Sequence, residues 1–253
     1  MTNKPLDTYL NLCTQVYDLS KPNPPKDAYD FYLSYAKEMD GIILEPMCGT
    51  GRFLLPLLEE GFEVHGFDAS LHMLDALHVK AKAKNLKPNV WQGFIENLKR
   101  QEQYGLIFIP SGSFGLIIDL AQAKHALKTI YKHLTHQGVF VFEAETRAAV
   151  GSNSGQWAGS VWRKNNGQFI IANFLELPLQ DNVILSIGRY ELVDGNEIIK
   201  TEIEDFKVRI YEPALLIQLL QEVGFKDIKT FKAFDRAVAP NENDDVIVYE
   251  CRK

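Results

Sequence analysis

The run Ile42-Ile43-Leu44-Glu45-Pro46-Met47-Cys48-Gly49-Thr50-Gly51-Arg52 constrains the fold more tightly than any other part of the chain. An apolar strand leads into a glycine turn that opens a helix near Arg52, and a second apolar run, Val64-His65-Gly66-Phe67, ends in Asp68. Gly49 and Gly51 let the backbone turn sharply and approach a ligand, and the helix start points unpaired N–H groups at an anionic partner. A carboxylate at a strand end roughly 20 residues later can accept both hydrogen bonds of a ribose diol. Glu45, one strand earlier, lines the same crevice. The order strand, glycine turn, helix, strand, acid is how α/β folds hold a nucleoside at the carboxyl edge of a parallel sheet.

These residues resemble the class I S-adenosylmethionine-dependent methyltransferases of the small-molecule type. Leu44 to Arg52 is similar to that family's first motif, and Phe67-Asp68-Ala69-Ser70 with Met73-Leu74 is similar to its second. Two positions depart from the pattern. Met47 stands where the family usually has its first glycine, and Phe94 stands where many members carry an acid for the adenine amino group, so adenine recognition falls to packing and backbone near Ile95 and Glu96. The resemblance implies S-adenosylmethionine as cofactor, held by Tyr17, Glu45, Gly49, Gly51, Arg52, Asp68, Ala69, Met73, Ile95, Glu96 and Ser111. A nicotinamide or flavin site is the competing reading, but it asks for a third glycine where the turn continues Gly51-Arg52-Phe53-Leu54.

The fold class expected is α/β, a mostly parallel, doubly wound, Rossmann-like sheet with an N-terminal helical cap and an inserted antiparallel β lobe. Residues 1–40 form the cap, with helical spacing over Leu6 to Leu19 and Asp27 to Met39 around the breaker run Lys21 to Lys26. Within it Tyr17-Asp18 resembles the Tyr-Asp that related enzymes place over the cofactor; core packing is an equally good reading of Tyr17. Residues 41–150 are the cofactor-binding core, with strands near Ile42–Leu44, Glu63–Phe67, Asn89–Trp91, Leu106–Ile109 and Val139–Glu143. Residues 151–211 read as a meander, because Asn166-Gly167, Asp181-Asn182 and Asp194-Gly195 punctuate strand-like runs. The resemblance makes this lobe a roof over the active site, and a dimer surface is the other role open to it. Residues 212–253 supply a helix from Pro213 to Glu222 and the strands Lys226–Phe231 and Asp245–Cys251, which resemble the hairpin that completes the methyltransferase sheet.

The chemistry the resemblance implies is in-line attack of a substrate nitrogen or oxygen on the methyl carbon of a sulfonium. The leaving group is already activated, so orientation and exclusion of water carry most of the task. Glu143 and Glu145, two apart on one side of the fifth strand, are the candidate catalytic groups, as base or as anchor for a cationic amine; a solvated carboxylate pair is the competing reading. Pro110-Ser111-Gly112-Ser113-Phe114 follows the fourth strand and either touches the ligands or is an ordinary turn. Trp157, Trp162 and Arg163, and Arg209 with Tyr211 at the domain junction, are weaker pocket candidates.

A net charge of -6 over 253 residues argues against a nucleic-acid partner and for a small-molecule acceptor. The start Met1-Thr2-Asn3-Lys4-Pro5 has no apolar signal core and no run is long enough to span a bilayer, which gives the expectation of a cytoplasmic protein without membrane contact. Cys13, Cys48 and Cys251 are widely spaced, and the six histidines form no ligand spacing, so no metal is expected. Lys80, Lys82, Lys84 and Lys87 read as a solvated helix end. A catalytically silent protein that binds S-adenosylmethionine or S-adenosylhomocysteine is a further alternative, and a homodimer is left open.

Overall fold

The computed structural model describes residues 6–151, 155–178 and 180–253; the first five residues of the expected cap, and residues 152–154 and 179 of the expected lobe, lie outside this set. A seven-stranded sheet is built from β1 (Ile43–Pro46), β2 (Val64–Asp68), β3 (Asn89–Gln92), β4 (Tyr104–Ile109), β5 (Leu134–Glu145), β10 (Asp227–Lys232) and β11 (Val246–Arg252). Its spatial order is β10-β11-β5-β4-β1-β2-β3. The first five strands in sequence are mutually parallel where they pair, and β11 runs antiparallel to both of its neighbours.

Near-continuous apolar runs such as Leu106–Ile109 and Val139–Phe142 are buried on both sides of this sheet, as strands covered by helices on both faces must be. On one face, Ile43, Val64, Leu106, Phe108 and Val141 pack against α2 (Lys26–Glu38), α3 (Leu54–Glu59) and α4 (Leu71–Ala83). On the other, Leu44, Phe67, Ile107, Phe140 and Phe142 pack against α5 (Leu120–His133) and α6 (Pro213–Val223). Local chemistry sets the helix ends. Ser70 and Asp119 accept the Met73 and Gln122 N–H groups at the starts of α4 and α5, and Pro213 opens α6.

A separate antiparallel sheet contains β6 (Trp157–Arg163), β7 (Phe169–Glu176), β8 (Val183–Asp194) and β9 (Glu197–Arg209) in sequential order. Its tight turns fall at the three anticipated places, with Gly167, Asp181, Asn182 and Gly195 all at positive φ. One face of this sheet, through Ile170, Ala172 and Tyr190, packs on Leu12, Cys13 and Val16 of α1 (Asn11–Ser20).

Three expectations need correction. The first helix begins at Asn11 rather than Leu6, because Tyr9 takes a left-handed φ of 54° that no continuing helix tolerates. The helix after the glycine turn begins at Leu54, not Arg52, since residues up to Phe53 are used in the turn. Lys80 lies in the last turn of α4 as expected, but its amine is not left to water alone, because it bonds to partners that belong to the site. Among the described residues no helix is long and apolar enough to cross a membrane.

Candidate functional site

The glycine turn lies between β1 and α3. Cys48 N–H bonds to Phe67 O (3.0 Å) and Gly51 N–H returns to Cys48 O (2.9 Å), which fastens the turn to β2. Met47 adopts φ 58° in the place expected for glycine, a conformation that costs a side-chain-bearing residue about 1–2 kcal/mol. Asp68, at the end of β2, is pinned to this turn: Oδ2 accepts from Gly49 N–H and Oδ1 from Ser70 N–H, both at 2.8 Å. Each oxygen retains a second acceptor site. Burial raises the Asp68 pKa, and the Ser70 and Gly49 N–H groups oppose that rise.

Glu45 lies under the same turn and is only 2% exposed, with Oε2 lacking any partner among the described residues. Burial pushes its pKa well above the carboxylate range; the Leu54 N–H opposes this and the Arg52 charge does so more weakly. Arg52 Nε is likewise buried and unpartnered among the described residues. An acceptor and a donor in this state are costly to leave unmade and mark a place built for a polar ligand.

The remaining sequence-predicted cofactor residues gather around these two. Ala69 O accepts from the Gln92 amide (3.1 Å), and Met73 sits in the first turn of α4 beneath Gly49. Gly93 N–H bonds to Asp68 O (3.0 Å), which sets the 3-10 turn Ile95–Asn97 beside the end of β2. Ile95 is buried there, Glu96 half-buried and Phe94 exposed.

The cap meets the turn through α1. Thr50 Oγ1 donates to Asp18 Oδ1 (2.6 Å), and Lys80 Nζ donates to Asp18 Oδ1 and to Thr50 Oγ1, each at 2.7 Å. Tyr17, one residue earlier, is raised in pKa by burial, while the charge and hydrogen bond of the Arg52 guanidinium oppose the rise. Tyr17 thus lies within reach of two opposite charges, Arg52 opposing the rise and Glu45 adding to it. Lys80 was missed from sequence because nothing separates it from the other lysines of its helix until the turn places Asp18 against it.

On the β4 and β5 side, Glu143 is 4% exposed, and its Oε1 accepts from Tyr32 OH (2.8 Å) and from Ser111 N–H (3.0 Å). It thus ties α2 to the turn after β4, where Ser111 and Gly112 have φ values of 59° and 65°. Burial raises its pKa, against the Ser111 and Tyr32 hydrogen bonds. Glu145 is half-buried and its carboxylate has no hydrogen-bond partner among the described residues. A methyl group built on Gly112 would come within 3.2 Å of Glu145 Cγ, so this side chain lies along the β4 turn. Its pKa is raised by burial, lowered by the charge of Lys21 and raised again by Glu176 at the end of β7. Glu145 is thereby the carboxylate left open where cap, core and second sheet converge.

The weaker candidates are placed elsewhere. Trp157 is exposed, and Trp162 packs against the cluster around Leu12 while its indole N–H donates to Ser160. Arg209 and Tyr211 bond to the carbonyls of Ile118 and Ile117, which fastens the end of β9 to the loop before α5. Cys48 is buried with its pKa raised by desolvation, which makes it a packing residue rather than a nucleophile. Among the described residues no cluster of His, Cys, Asp or Glu could hold a metal ion.

Residues 43–138 match a family model described as a methyltransferase domain. The glycine/sarcosine N-methyltransferase of Parasynechococcus marenigrum is 25% identical over 228 residues, 88% of this chain and 76% of its own. Against two other relatives, from Geobacillus and Bacillus subtilis, whose methyltransferase role is itself an inference, the alignment spans about half of their length. Among solved structures, an S-adenosylmethionine-dependent methyltransferase from Clostridium acetobutylicum superposes with a TM-score of 0.78 at 21% identity, covering 94% of this chain and 96% of that one. The sugar N-methyltransferase KedS8 from Streptoalloteichus superposes with a TM-score of 0.77 at 16% identity, covering 100% and 98%. The mostly parallel sheet with a separate antiparallel sheet bears out the fold class expected from sequence.

Proposed function

We propose that the chain is a class I S-adenosylmethionine-dependent methyltransferase, as its domain match and fold support, and that it methylates a nitrogen of a small-molecule amine. The observation that carries this reading is the juxtaposition at the sheet edge. Asp68, Glu45 and Arg52 present unspent acceptor and donor capacity at the glycine turn, and on β5 the Glu145 carboxylate is left open.

The residues fit the cofactor. Asp68 has one free acceptor site on each oxygen for a ribose diol, and the orphaned Glu45 Oε2 and Arg52 Nε suit the ammonium and carboxylate of a methionyl group, with Tyr17 covering them. Ile95 and Glu96 border the adenine position, and Gly49, Gly51, Ala69, Met73 and Ser111 complete the wall. Bound S-adenosylmethionine supplies a methyl carbon attached to a positively charged sulfur. Asp68 and the glycine turn fix its orientation, and α1 excludes water from above.

A nitrogen acceptor is favoured by the acids. Glu145 attracts an alkylammonium group, and its raised pKa suits it to take the proton that frees the attacking lone pair. Glu143, already bonded to Tyr32 and Ser111, holds the walls of that pocket in place. The names of two relatives, a glycine/sarcosine and a sugar N-methyltransferase, point the same way. In this reading the described residues of 151–211 roof the acceptor, those of 1–40 cap the cofactor, and residues 212–253 complete the core of residues 41–150.

Calorimetry with S-adenosylmethionine, S-adenosylhomocysteine and NAD tests the cofactor. Transfer from methyl-labelled S-adenosylmethionine to panels of amino sugars, amino acids and phenols then tests the acceptor. Binding of the first two ligands with labelling of amines is the expected result. Labelling of phenols alone overturns the nitrogen assignment, and binding of NAD alone overturns the whole reading.

A further inference from the structure

α1 has no capping side chain of its own and no acidic residue in its first turn. The N–H groups at its start and just before it are met by carboxylates from late in the sequence. Glu204 of β9 accepts from Tyr9 N–H through Oε2 (2.8 Å) and from Leu10 N–H through Oε1 (2.9 Å), and Glu202 accepts from Leu12 N–H (2.6 Å). Glu204 is 2% exposed, so the whole of this carboxylate is committed to α1 and its surroundings.

Tyr9 is held from both sides. Its N–H bonds to Glu204, its carbonyl accepts from Ser70 Oγ (2.7 Å), and its φ is 54°. A left-handed non-glycine residue persists only where its surroundings over-determine it. Ser70 in turn donates its N–H to Asp68 Oδ1, and Asp68 Oδ2 accepts from Gly49 N–H. One hydrogen-bonded chain therefore runs from the four-stranded sheet through Glu204, Tyr9 and Ser70 to Asp68 and the glycine turn. At its far end α1 is fastened again, through Asp18, to Thr50 and Lys80.

We infer that Glu204 is a positioning residue for the cofactor site, acting through Tyr9 and Ser70 so that the four-stranded sheet and the cofactor carboxylate Asp68 are set together. The inference rests on the cofactor reading above, and it extends that reading to a residue that touches neither ligand. Its signature is non-additivity, because two residues in one chain of bonds cannot each be lost at full cost once the chain is broken.

The test is S-adenosylhomocysteine affinity, by calorimetry, for the wild type, Ser70→Ala, Glu204→Gln and the double variant. Each single change is expected to weaken binding about tenfold, the worth of one charge-assisted bond partly replaced, and the double variant also by about tenfold. A Glu204 that acts on the site independently of Ser70 leaves the two affinity effects to multiply to roughly a hundredfold, and a merely structural one lowers the melting temperature with wild-type affinity. Either result overturns the inference. Should Glu204→Gln not fold, Glu204→Asp, which keeps the charge but draws the carboxylate back from the Tyr9 and Leu10 N–H groups, takes its place in the cycle under the same criterion. A wild type that does not bind S-adenosylhomocysteine overturns the cofactor reading itself, and this inference with it.

Discussion

Replacing Gly51 by alanine separates the two reasons for a glycine at that position. Gly51 has φ 78°, which costs a residue with a Cβ about 1–2 kcal/mol. The added methyl would also stand 2.9 Å from Leu77 Cγ, 3.0 Å from Leu77 Cδ1 and 3.0 Å from Leu55 Cγ, in the packed contact between α3 and α4. Overpacking of that kind costs about 1–3 kcal/mol more. Gly61 is the control: its φ is 92°, yet an added Cβ meets nothing within 4 Å, so Gly61→Ala carries the backbone cost alone. At about 2–4 °C per kcal/mol for a chain of this size, Gly51→Ala is expected to melt about 4–20 °C below the wild type and Gly61→Ala about 2–8 °C below. Thermal unfolding followed by circular dichroism reads both. Equal melting temperatures for the two variants would refute the packing argument, and an unchanged Gly61→Ala would refute the backbone one.

Three further outcomes follow from the site. Asp68→Asn exchanges one acceptor for a donor between two N–H groups, so one must go unpaired; S-adenosylhomocysteine affinity falls at least tenfold by calorimetry and stability by about 1–3 kcal/mol, and retention of both would remove Asp68 from its role. Asp18→Ala strands Lys80 and releases α1 from Thr50, which costs only about 1 kcal/mol of stability because the pair is partly solvated, while cofactor affinity drops roughly tenfold in the same titration. Glu45 and Glu143 have raised pKa values in the folded protein, so the stability they contribute is full below the ordinary carboxylate value and is lost as pH rises through the raised ones. An ammonium bound beside Glu45 reverses that preference. Binding of S-adenosylmethionine at mildly acidic pH should thus release protons, seen as a dependence of the binding enthalpy on the ionisation enthalpy of the buffer; no such dependence would count against the pairing.

The sheet was legible because parallel strands buried on both faces write themselves as unbroken apolar runs, as in Val139–Phe142, and because turns that need positive φ announce themselves with glycine or asparagine. The meander was legible for the second reason alone. What stayed hidden were partnerships across long stretches of sequence. Lys80 looks like any lysine on its helix, and Glu204 looks like a strand carboxylate until the phase of β9 turns it inward. Glu143 and Glu145 could be paired by their spacing of two, yet only the fold distinguishes the one bonded to Tyr32 and Ser111 from the one left open. Met47 shows the limit in the other direction: its place in the turn was readable, its left-handed backbone was not.

The capping of α1 also dictates a calendar for the growing polypeptide. A ten-residue helix with no cap of its own is marginal in water, and the carboxylates that finish it are made 190 and more residues later. Until β7, β8 and β9 have been synthesised, the first helix has only Thr50, Ser70 and Lys80 to hold it, and the apolar face and carboxylates that complete its docking are still to come. The side of the cofactor site that α1 covers therefore depends on residues from both ends of the synthesis, Tyr9 and Asp18 made first and Glu202 and Glu204 made late.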